Sequence, residues 1–239
     1  MSAPEKIGAF FDLDGTLLRP PSLEWRFVMD LVERDEIETA NVARWLAHFG
    51  KAFFTDPGSA TQGNKHYLAG IPESAIADWA AAFSCAGLSI FTQGIARAKW
   101  HLDRGHQICL VTGTLAPLAR AAAHFLPGKI EICATEIEVR DGRFTGRLAG
   151  PHMSFGEKAC AVSALAAAHG MDLARSYAYG NEMPDLPMLE AVGNPTAANP
   201  SWRLARAARK RGWDICDWRS PDAPRGVADS VFLAPKEAR

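Results

Sequence analysis

The chain has 239 residues, of which 48% are hydrophobic and 22% charged, and its formal net charge is −1. These proportions are typical of a globular protein with a buried core, and the small charge gives no electrostatic preference for nucleic acid or membrane. The five cysteines form no C-x-x-C pair, which argues against a disulfide framework or a cysteine-ligated zinc site. Since there is no signal-peptide pattern and no apolar run of about 20 residues, we expect a cytoplasmic protein.

A short apolar run near the start predicts the first element. Residues 7–13 read Ile-Gly-Ala-Phe-Phe-Asp-Leu and continue into Asp14-Gly-Thr16, which indicates a buried strand followed by a turn. If the strand extended through Asp14, the carboxylates of Asp12 and Asp14 would lie on one face. Two clustered carboxylates repel each other, and a hard divalent cation relieves that repulsion. The alternative is a solvated Asp-Gly turn that only ends the strand.

The next part of the chain, from about residue 22 to residue 102, has a helical pattern. Its apolar residues recur at helical spacing with few strand-like alternations, as in Trp25–Glu33, Ile37–Phe49 and Ile76–Phe83. The pattern predicts a helical insert between the first and second strands.

Strands and helices alternate beyond residue 106. Strands are predicted at 107–112, 129–139, 144–148, 176–179, 195–198 and 213–216, and helices at 116–125 and 157–170. Arg140-Asp-Gly-Arg143 is typical of a hairpin turn. The alternation predicts an α/β fold with a Rossmann-like, doubly wound and mostly parallel sheet, covered by helices on both faces. Ligands of such sheets bind at the carboxyl ends of the strands.

Three further polar groups fall at those strand ends or at the start of a following helix. Thr112-Gly113 offers a hydroxyl and a backbone N–H, which suit a phosphate but are also common at a helix cap. Lys158 begins a helix, where a lysine is usually solvated. Asn181 and Asp185 lie in a loop after the strand at 176–179, and such a loop is most often a turn.

The order of these groups resembles that of the haloacid dehalogenase-like hydrolase superfamily. Asp12-Leu-Asp14-Gly-Thr16 follows the first strand, and Thr112, Lys158 and an acidic loop come later in the same order. The segment Tyr179-Gly-Asn-Glu-Met-Pro-Asp-Leu-Pro-Met-Leu-Glu-Ala-Val-Gly-Asn-Pro195 is similar to the branch that contains phosphoserine phosphatase. The resemblance implies an α/β core domain at residues 1–20 and 92–220 and a helical cap domain at 21–91. Residues 221–239 are expected to form a loosely packed tail.

The resemblance also implies catalytic roles. Asp12 is expected to be the nucleophile and Asp14 the general acid and base, while Lys158 neutralises the phosphate and the Asp12 charge. In the superfamily that the chain resembles, phosphatases and phosphomutases carry such a carboxylate two residues after the nucleophile, where it can protonate the leaving group and deprotonate water. Thr112 and the Gly113 amide are expected to hold phosphate oxygens, and Thr16 is placed with these substrate-binding residues.

A Mg²⁺ ion is the cofactor that the resemblance implies. Its expected ligands are Asp12, the backbone carbonyl of Asp14, and Asn181 or Asp185. This chain departs from the branch at Asn181, where aspartate is usual, so the site loses one negative charge. Either Asn181 or Asp185 is a candidate for the direct ligand.

The sequence thus predicts a Mg²⁺-dependent phosphatase that forms an aspartyl-phosphate. Its partner is expected to be a small-molecule phosphomonoester, such as phosphoserine or histidinol phosphate, and neither nucleic acid nor a membrane. Glu24 is expected either to meet a substrate ammonium group or to be an exposed helix acid. A phosphomutase and a non-catalytic phosphate-binding protein on the same scaffold remain alternatives, and the oligomeric state stays open.

Overall fold

A computed structural model describes residues 6–43, 45–47, 65–86 and 88–219, with the backbone alone at 82–86. The predicted tail at 221–239 lies outside the described residues. The helix predicted at Ile37–Phe49 lies partly outside them, and residues 39–43 and 45–47 are helical.

Six parallel strands form the central sheet, and a separate antiparallel hairpin accompanies it. The strands are β1 (Gly8–Phe11), β2 (Gln107–Leu115), β3 (Ile130–Thr135), β4 (Ile137–Arg140), β5 (Arg143–Leu148), β6 (Tyr177–Gly180), β7 (Asn194–Ala198) and β8 (Asp214–Cys216). Their order in the sheet is β3-β2-β1-β6-β7-β8, and β4 pairs with β5. Strands β2 and β3 therefore lie on one side of β1, and strands β6, β7 and β8 lie on its other side. Such a reversal opens a crevice at the carboxyl end of the central strand.

Helices connect these strands. They are α1 (Leu23–Glu33), α2 (Ser74–Ala86), α3 (Thr92–Leu102), α4 (Ala116–Ala123), α5 (Gly156–His169), α6 (Leu186–Glu190) and α7 (Trp202–Arg211), with short 3-10 helices at His66–Leu68 and Met183–Asp185. Helix α1 begins after Ser22, whose hydroxyl accepts a hydrogen bond from the Trp25 N–H. Helix α5 ends at Gly170, which adopts the left-handed conformation at φ 65° that favours glycine. The predicted α/β class with a doubly wound sheet is confirmed.

Strand β1 is shorter than the sequence predicted. It ends at Phe11, and the N–H groups of Leu17 and Leu18 both donate to the Leu13 carbonyl at 2.9 Å. The chain therefore turns directly after Asp14, with Gly15 at φ 80°. Asp12 and Asp14 are thus not alternate residues of one strand, although both lie at its carboxyl end.

Apolar side chains pack on both faces of the sheet. Phe10 and Phe11 point to opposite faces, as neighbours in a strand must, and each belongs to a separate buried cluster. The cluster that contains Phe11 continues through Phe27 and Trp79 into the helical segment between β1 and β2. The sheet and that segment therefore share one core.

The β4–β5 hairpin links the sheet to the helical segment. The Phe144 N–H donates to the Ile71 carbonyl at 2.9 Å, and the Gly70 N–H donates to the Phe144 carbonyl at 2.8 Å. The division into core domain and cap domain at residues 20 and 92 stays a prediction. In the described part of the chain, no helix has both the length and the apolarity needed to span a bilayer.

Two tryptophans of the helical segment allow a matched test of this packing. Trp79 is 4% exposed and lies edge-on to Phe27, with ring centroids 5.3 Å apart, whereas Trp25 is 55% exposed. We expect Trp79→Ala to lower the free energy of unfolding by about 3 kcal/mol or more. Trp25→Ala should change it by less than about 0.5 kcal/mol. Urea unfolding followed by circular dichroism measures both, and equal losses would contradict the shared core.

Candidate active site

A cavity of about 210 Å³ lies where β1, β2 and β6 end. Its walls carry eight of the nine residues that the sequence predicted for the site: Asp12, Asp14, Glu24, Thr112, Gly113, Lys158, Asn181 and Asp185. The ninth, Thr16, is fully buried and donates a hydrogen bond to Asp12 Oδ2 at 3.0 Å. Segments far apart in the sequence therefore converge on one cavity, because parallel strands bring their carboxyl ends to the same edge.

Lys158 lies between two carboxylates. Its Nζ atom is 2.6 Å from Asp12 Oδ1 and 2.6 Å from Asp185 Oδ1, and the three side chains are between 3% and 8% exposed. Helix α5 delivers the lysine in its first turn, Asp12 directly follows β1, and Asp185 lies in the loop after β6. A lysine that looked solvated in the sequence is thus a buried part of the site.

The charges in this cluster do not balance. Burial and the charge of Asp185 raise the pKa of Asp12 to about 7, although Lys158 acts in the opposite direction. Burial alone would lower the pKa of Lys158, but the charges of Asp12 and Asp185 outweigh that effect and raise it. Two carboxylates share one ammonium group, so the cluster can accept further positive charge.

Asp185 has both carboxylate oxygens engaged. Oδ1 accepts from Lys158, while Oδ2 accepts from the backbone N–H groups of Asn181 and Glu182, each at 2.9 Å. A Cβ on Gly180 would lie 2.5 Å from the Asp185 Cβ, so the absence of a side chain there lets the loop fold back onto the strand end. Asp185 therefore fixes the loop and positions Lys158.

The Asn181 amide faces the Asp12 side of the cavity. The Thr16 hydroxyl lies 3.3 Å from Asn181 Oδ1 and 3.0 Å from Asp12 Oδ2, which brings these two oxygens toward one point. A Cβ on Gly15 would lie 2.1 Å from Asn181 Nδ2. The turn after Asp14 therefore needs glycine both for its positive φ and for space beside Asn181.

Asp14 is held from two directions. Its Oδ2 accepts from the Thr114 hydroxyl at 2.7 Å, and its Oδ1 accepts from the Leu23 N–H at 2.8 Å. Burial raises the pKa of Asp14 above its usual value, against the lowering effect of both hydrogen bonds. Asp14 is therefore a carboxyl group that retains its proton more readily than a solvated aspartate.

Glu24 enters the cavity wall from helix α1. Its Oε1 atom accepts hydrogen bonds from Lys65 Nζ at 2.6 Å and from the Tyr67 hydroxyl, and the side chain is 17% exposed. Glu24 is therefore not a solvated helix acid, and its charge is already paired with a buried lysine. No pattern in the sequence pointed to Lys65 or Tyr67, because both reach Glu24 across about 40 residues of chain.

Three consecutive residues of the cavity wall were missed entirely. His152, Met153 and Ser154 lie between β5 and α5, directly before the helix that carries Lys158. Their position before this helix was the only feature of the sequence that could have indicated a place in the cavity wall. Thr114 was also missed as a partner of Asp14, although it closes the same strand as Thr112.

Comparison with known proteins identifies the family. Residues 9–190 match the model of the haloacid dehalogenase-like hydrolases, and the chain belongs to that family. It is 35% identical over 223 residues to phosphoserine phosphatase SerB1 of Mycobacterium tuberculosis, an alignment that covers 88% of this chain and 70% of that protein. The family and the enzyme class predicted from the sequence, a phosphatase of the haloacid dehalogenase-like hydrolases, are confirmed.

Solved structures agree with the fold. A protein of unknown function from Bordetella pertussis matches with a TM-score of 0.72 and 29% identity, over 90% of this chain and 100% of that one. A phosphoserine phosphatase solved as a phospho-aspartyl intermediate analogue matches with a TM-score of 0.62 over 95% of this chain and 99% of that one. At 19% identity, the second match shows a shared fold.

The charge cluster around Lys158 predicts a pH-dependent loss of stability. Lys158→Met leaves Asp12 and Asp185 buried without their cation, so we expect the free energy of unfolding at pH 8 to fall by about 3 kcal/mol or more. The loss should shrink toward pH 5. A raised carboxyl pKa means that the folded state binds protons at pH values where the unfolded state has released them, so stability is recovered as the pH falls.

Urea unfolding at both pH values measures this effect. Lys99→Met, at an exposed position of helix α3, is the matched control and should change little. Adding Asp185→Asn to the Lys158→Met protein should restore part of the loss at pH 8. A loss that is equal at both pH values would contradict the electrostatic cause.

Proposed function

We propose that this protein is a Mg²⁺-dependent phosphatase that hydrolyses a small-molecule phosphomonoester through an aspartyl-phosphate on Asp12. The observation that carries the proposal is the buried Asp12 carboxylate, which lies in a cavity with Lys158, Thr112 and Gly113. A carboxylate attacks a phosphate dianion only when the negative charge of both is offset. Lys158 is bonded to Asp12 and lines the same cavity, so it can offset both.

Asp14 is suited to move the proton that this reaction requires. The leaving alkoxide must be protonated as the phosphoryl group passes to Asp12, and water must later be deprotonated to cleave the aspartyl-phosphate. Burial raises the pKa of Asp14, which favours its protonated form in the first step. Its two hydrogen bonds, from Thr114 and Leu23, fix the carboxyl group at the cavity wall.

The residues present fit a magnesium ion. Asp12 Oδ2 and Asn181 Oδ1 converge beside Thr16, and the Asp14 backbone carbonyl is a third candidate oxygen. No three histidine, cysteine, aspartate or glutamate side chains of the described residues group as a metal site, so the ion would also depend on amide, backbone and substrate oxygens. When bound, Mg²⁺ supplies positive charge that stabilises the reacting phosphate.

Asn181 is the better candidate for the direct metal ligand. Both oxygens of Asp185 are occupied by Lys158 and by two backbone N–H groups, so we assign Asp185 the role of positioning those groups. The pKa of about 7 for Asp12 would leave this nucleophile partly protonated at neutral pH. A cation beside its Oδ2 would lower that pKa and favour the reactive carboxylate.

Substrate choice is proposed to depend on the helical segment that begins with α1. The volume of about 210 Å³ suits a phosphomonoester with a small organic group, such as the phosphoserine that the name of the SerB1 relative implies. Glu24 is the candidate contact for a substrate ammonium group. Because Lys65 and Tyr67 already bond to its Oε1, an ammonium there would have to share the charge of Glu24 with Lys65.

The phosphoenzyme is the direct test of this function. Phosphate release should be screened over a panel of small phosphomonoesters with and without Mg²⁺, and quenched enzyme should carry phosphate on Asp12 by mass spectrometry. Asp12→Asn should abolish both, because an amide cannot form the acyl phosphate. Asp103→Asn, at an exposed site after helix α3, is the control and should keep full activity. Turnover of the Asp12→Asn protein at the parent rate would refute the proposal.

Asn181 allows a separate test of the metal site. Asn181→Asp adds a negative charge where the amide oxygen faces Asp12, so we expect it to tighten Mg²⁺ binding to the free enzyme. It should also reduce the gain in Mg²⁺ affinity caused by bound phosphate, since the new charge repels that anion. Calorimetric titration with and without inorganic phosphate measures both effects. Unchanged Mg²⁺ affinity in both titrations would mean that Asn181 does not contact the ion.

A further inference from the structure

His152 is a wall residue of the cavity that the proposed chemistry does not use. Its ring lies against Gly113: Cε1 and Nε2 are 3.0 Å and 3.6 Å from the position that a Cβ on Gly113 would occupy. Gly113 and Lys158 line the same cavity. The Nε2 edge of the imidazole is therefore close to the groups proposed to hold phosphate.

Hydrogen bonds hold the backbone next to His152 in place relative to Gly113. The Met153 N–H donates to Thr135 Oγ1 at 3.1 Å, and the Thr135 hydroxyl donates to the Gly113 carbonyl at 2.8 Å. Thr135, the side chain that joins them, is fully buried. Met153, which follows His152, and Gly113 are thus both hydrogen-bonded to the Thr135 side chain.

The other end of the segment is bonded to the opposite wall. The Phe155 N–H donates to the Pro184 carbonyl at 2.9 Å, beside Asp185. Phe155 adopts φ 47° and ψ −120°, a conformation that is strained for a residue with a side chain. Residues 152–155 are therefore held by hydrogen bonds at both ends. A strained backbone such as that of Phe155 persists where the surrounding structure imposes it.

The hydrogen bonding of the ring indicates which nitrogen carries the proton. His152 Nδ1 is buried and has no hydrogen-bond partner among the described residues. An unpaired buried N–H is rarer and more costly than an unpaired acceptor, so the proton belongs on Nε2. Burial and the charges of Lys65 and Lys158 lower the pKa of His152 to about 4, so the ring is neutral at neutral pH.

We infer that His152 is a substrate-binding residue whose Nε2–H donates a hydrogen bond to a phosphoryl oxygen, beside the Gly113 amide. This role rests on the proposed function, since it assumes that the cavity binds phosphate. A preorganised donor beside the reacting group stabilises negative charge without reorganising during the reaction. A neutral ring adds this donor without repelling the two nearby lysines, as an imidazolium would.

Inorganic phosphate is the probe that tests the inference directly. Calorimetry with Mg²⁺ present should show that His152→Ala weakens phosphate binding by about tenfold or more, the usual effect of losing a hydrogen bond to a charged group. His152→Gln, which keeps an N–H donor, should restore a substantial part of the affinity. His169→Ala, at the far end of helix α5, should bind as the parent does.

Kinetics with p-nitrophenyl phosphate provide a second measurement. The ratio of kcat/KM between parent and His152→Ala should exceed about tenfold and stay constant from about pH 5.5 to 8.5, because a neutral donor does not titrate there. A ratio that rises toward acid pH would indicate an imidazolium and overturn the assignment. Unchanged phosphate affinity in a folded His152→Ala protein would also overturn it.

The two proposals can fail separately. If the parent binds phosphate in a His152-dependent manner but forms no phosphoenzyme, the inference stands and the catalytic function falls. If the phosphoenzyme forms and His152→Ala binds phosphate like the parent, the reverse holds. Thermal unfolding of each variant, followed by circular dichroism, checks that the compared proteins are folded.

Discussion

The contact of one ammonium group with two buried carboxylates determines how this site is built. Lys158 joins the end of β1, the start of α5 and the loop after β6 through Asp12 and Asp185, each 2.6 Å away. Buried charges are tolerated only when they are paired and hydrogen-bonded, so each partner depends on the other two. The remaining Asp185 oxygen binds the loop amides, which extends the same constraint to Asn181.

The imbalance of this cluster accounts for the character of the residues around it. Burial raises the pKa of Asp12, and the charge of Asp185, the second carboxylate that shares Lys158, raises it further. Asn181 adds an oxygen beside Thr16 without adding a third carboxylate. The neutral amide adds no further repulsion to the carboxylates of the free enzyme. Lys158 and the proposed cation would supply the positive charge that binds phosphate. A neutral His152 fits this arrangement, because it contributes a donor without a charge.

The sequence predicted the alternation of strands and helices and the meeting of polar residues at one sheet edge, because both follow from periodicity and parallel topology. It merged β3 and β4 into one strand at 129–139, although the two strands belong to different sheets. It misplaced the end of β1, since the turn at Leu13 depends on hydrogen bonds that no periodicity reveals. Lys158 could be predicted as a site residue only from its position in the order of the family's motifs. Lys65, Tyr67, Thr135 and His152 gave no signal, because each acts through contacts between distant segments of chain.

One of those distant contacts connects the helical segment to the proposed chemistry. The first residue of α1, Leu23, donates its N–H to Asp14, and the next residue, Glu24, lines the cavity. The bond from Leu23 lowers the pKa of Asp14, so a displacement of α1 that broke it would raise that pKa. In the proposed reaction, Asp14 would then hold its proton more firmly and give it up less readily to the leaving group. The helix that carries Glu24 therefore also influences the acidity of Asp14.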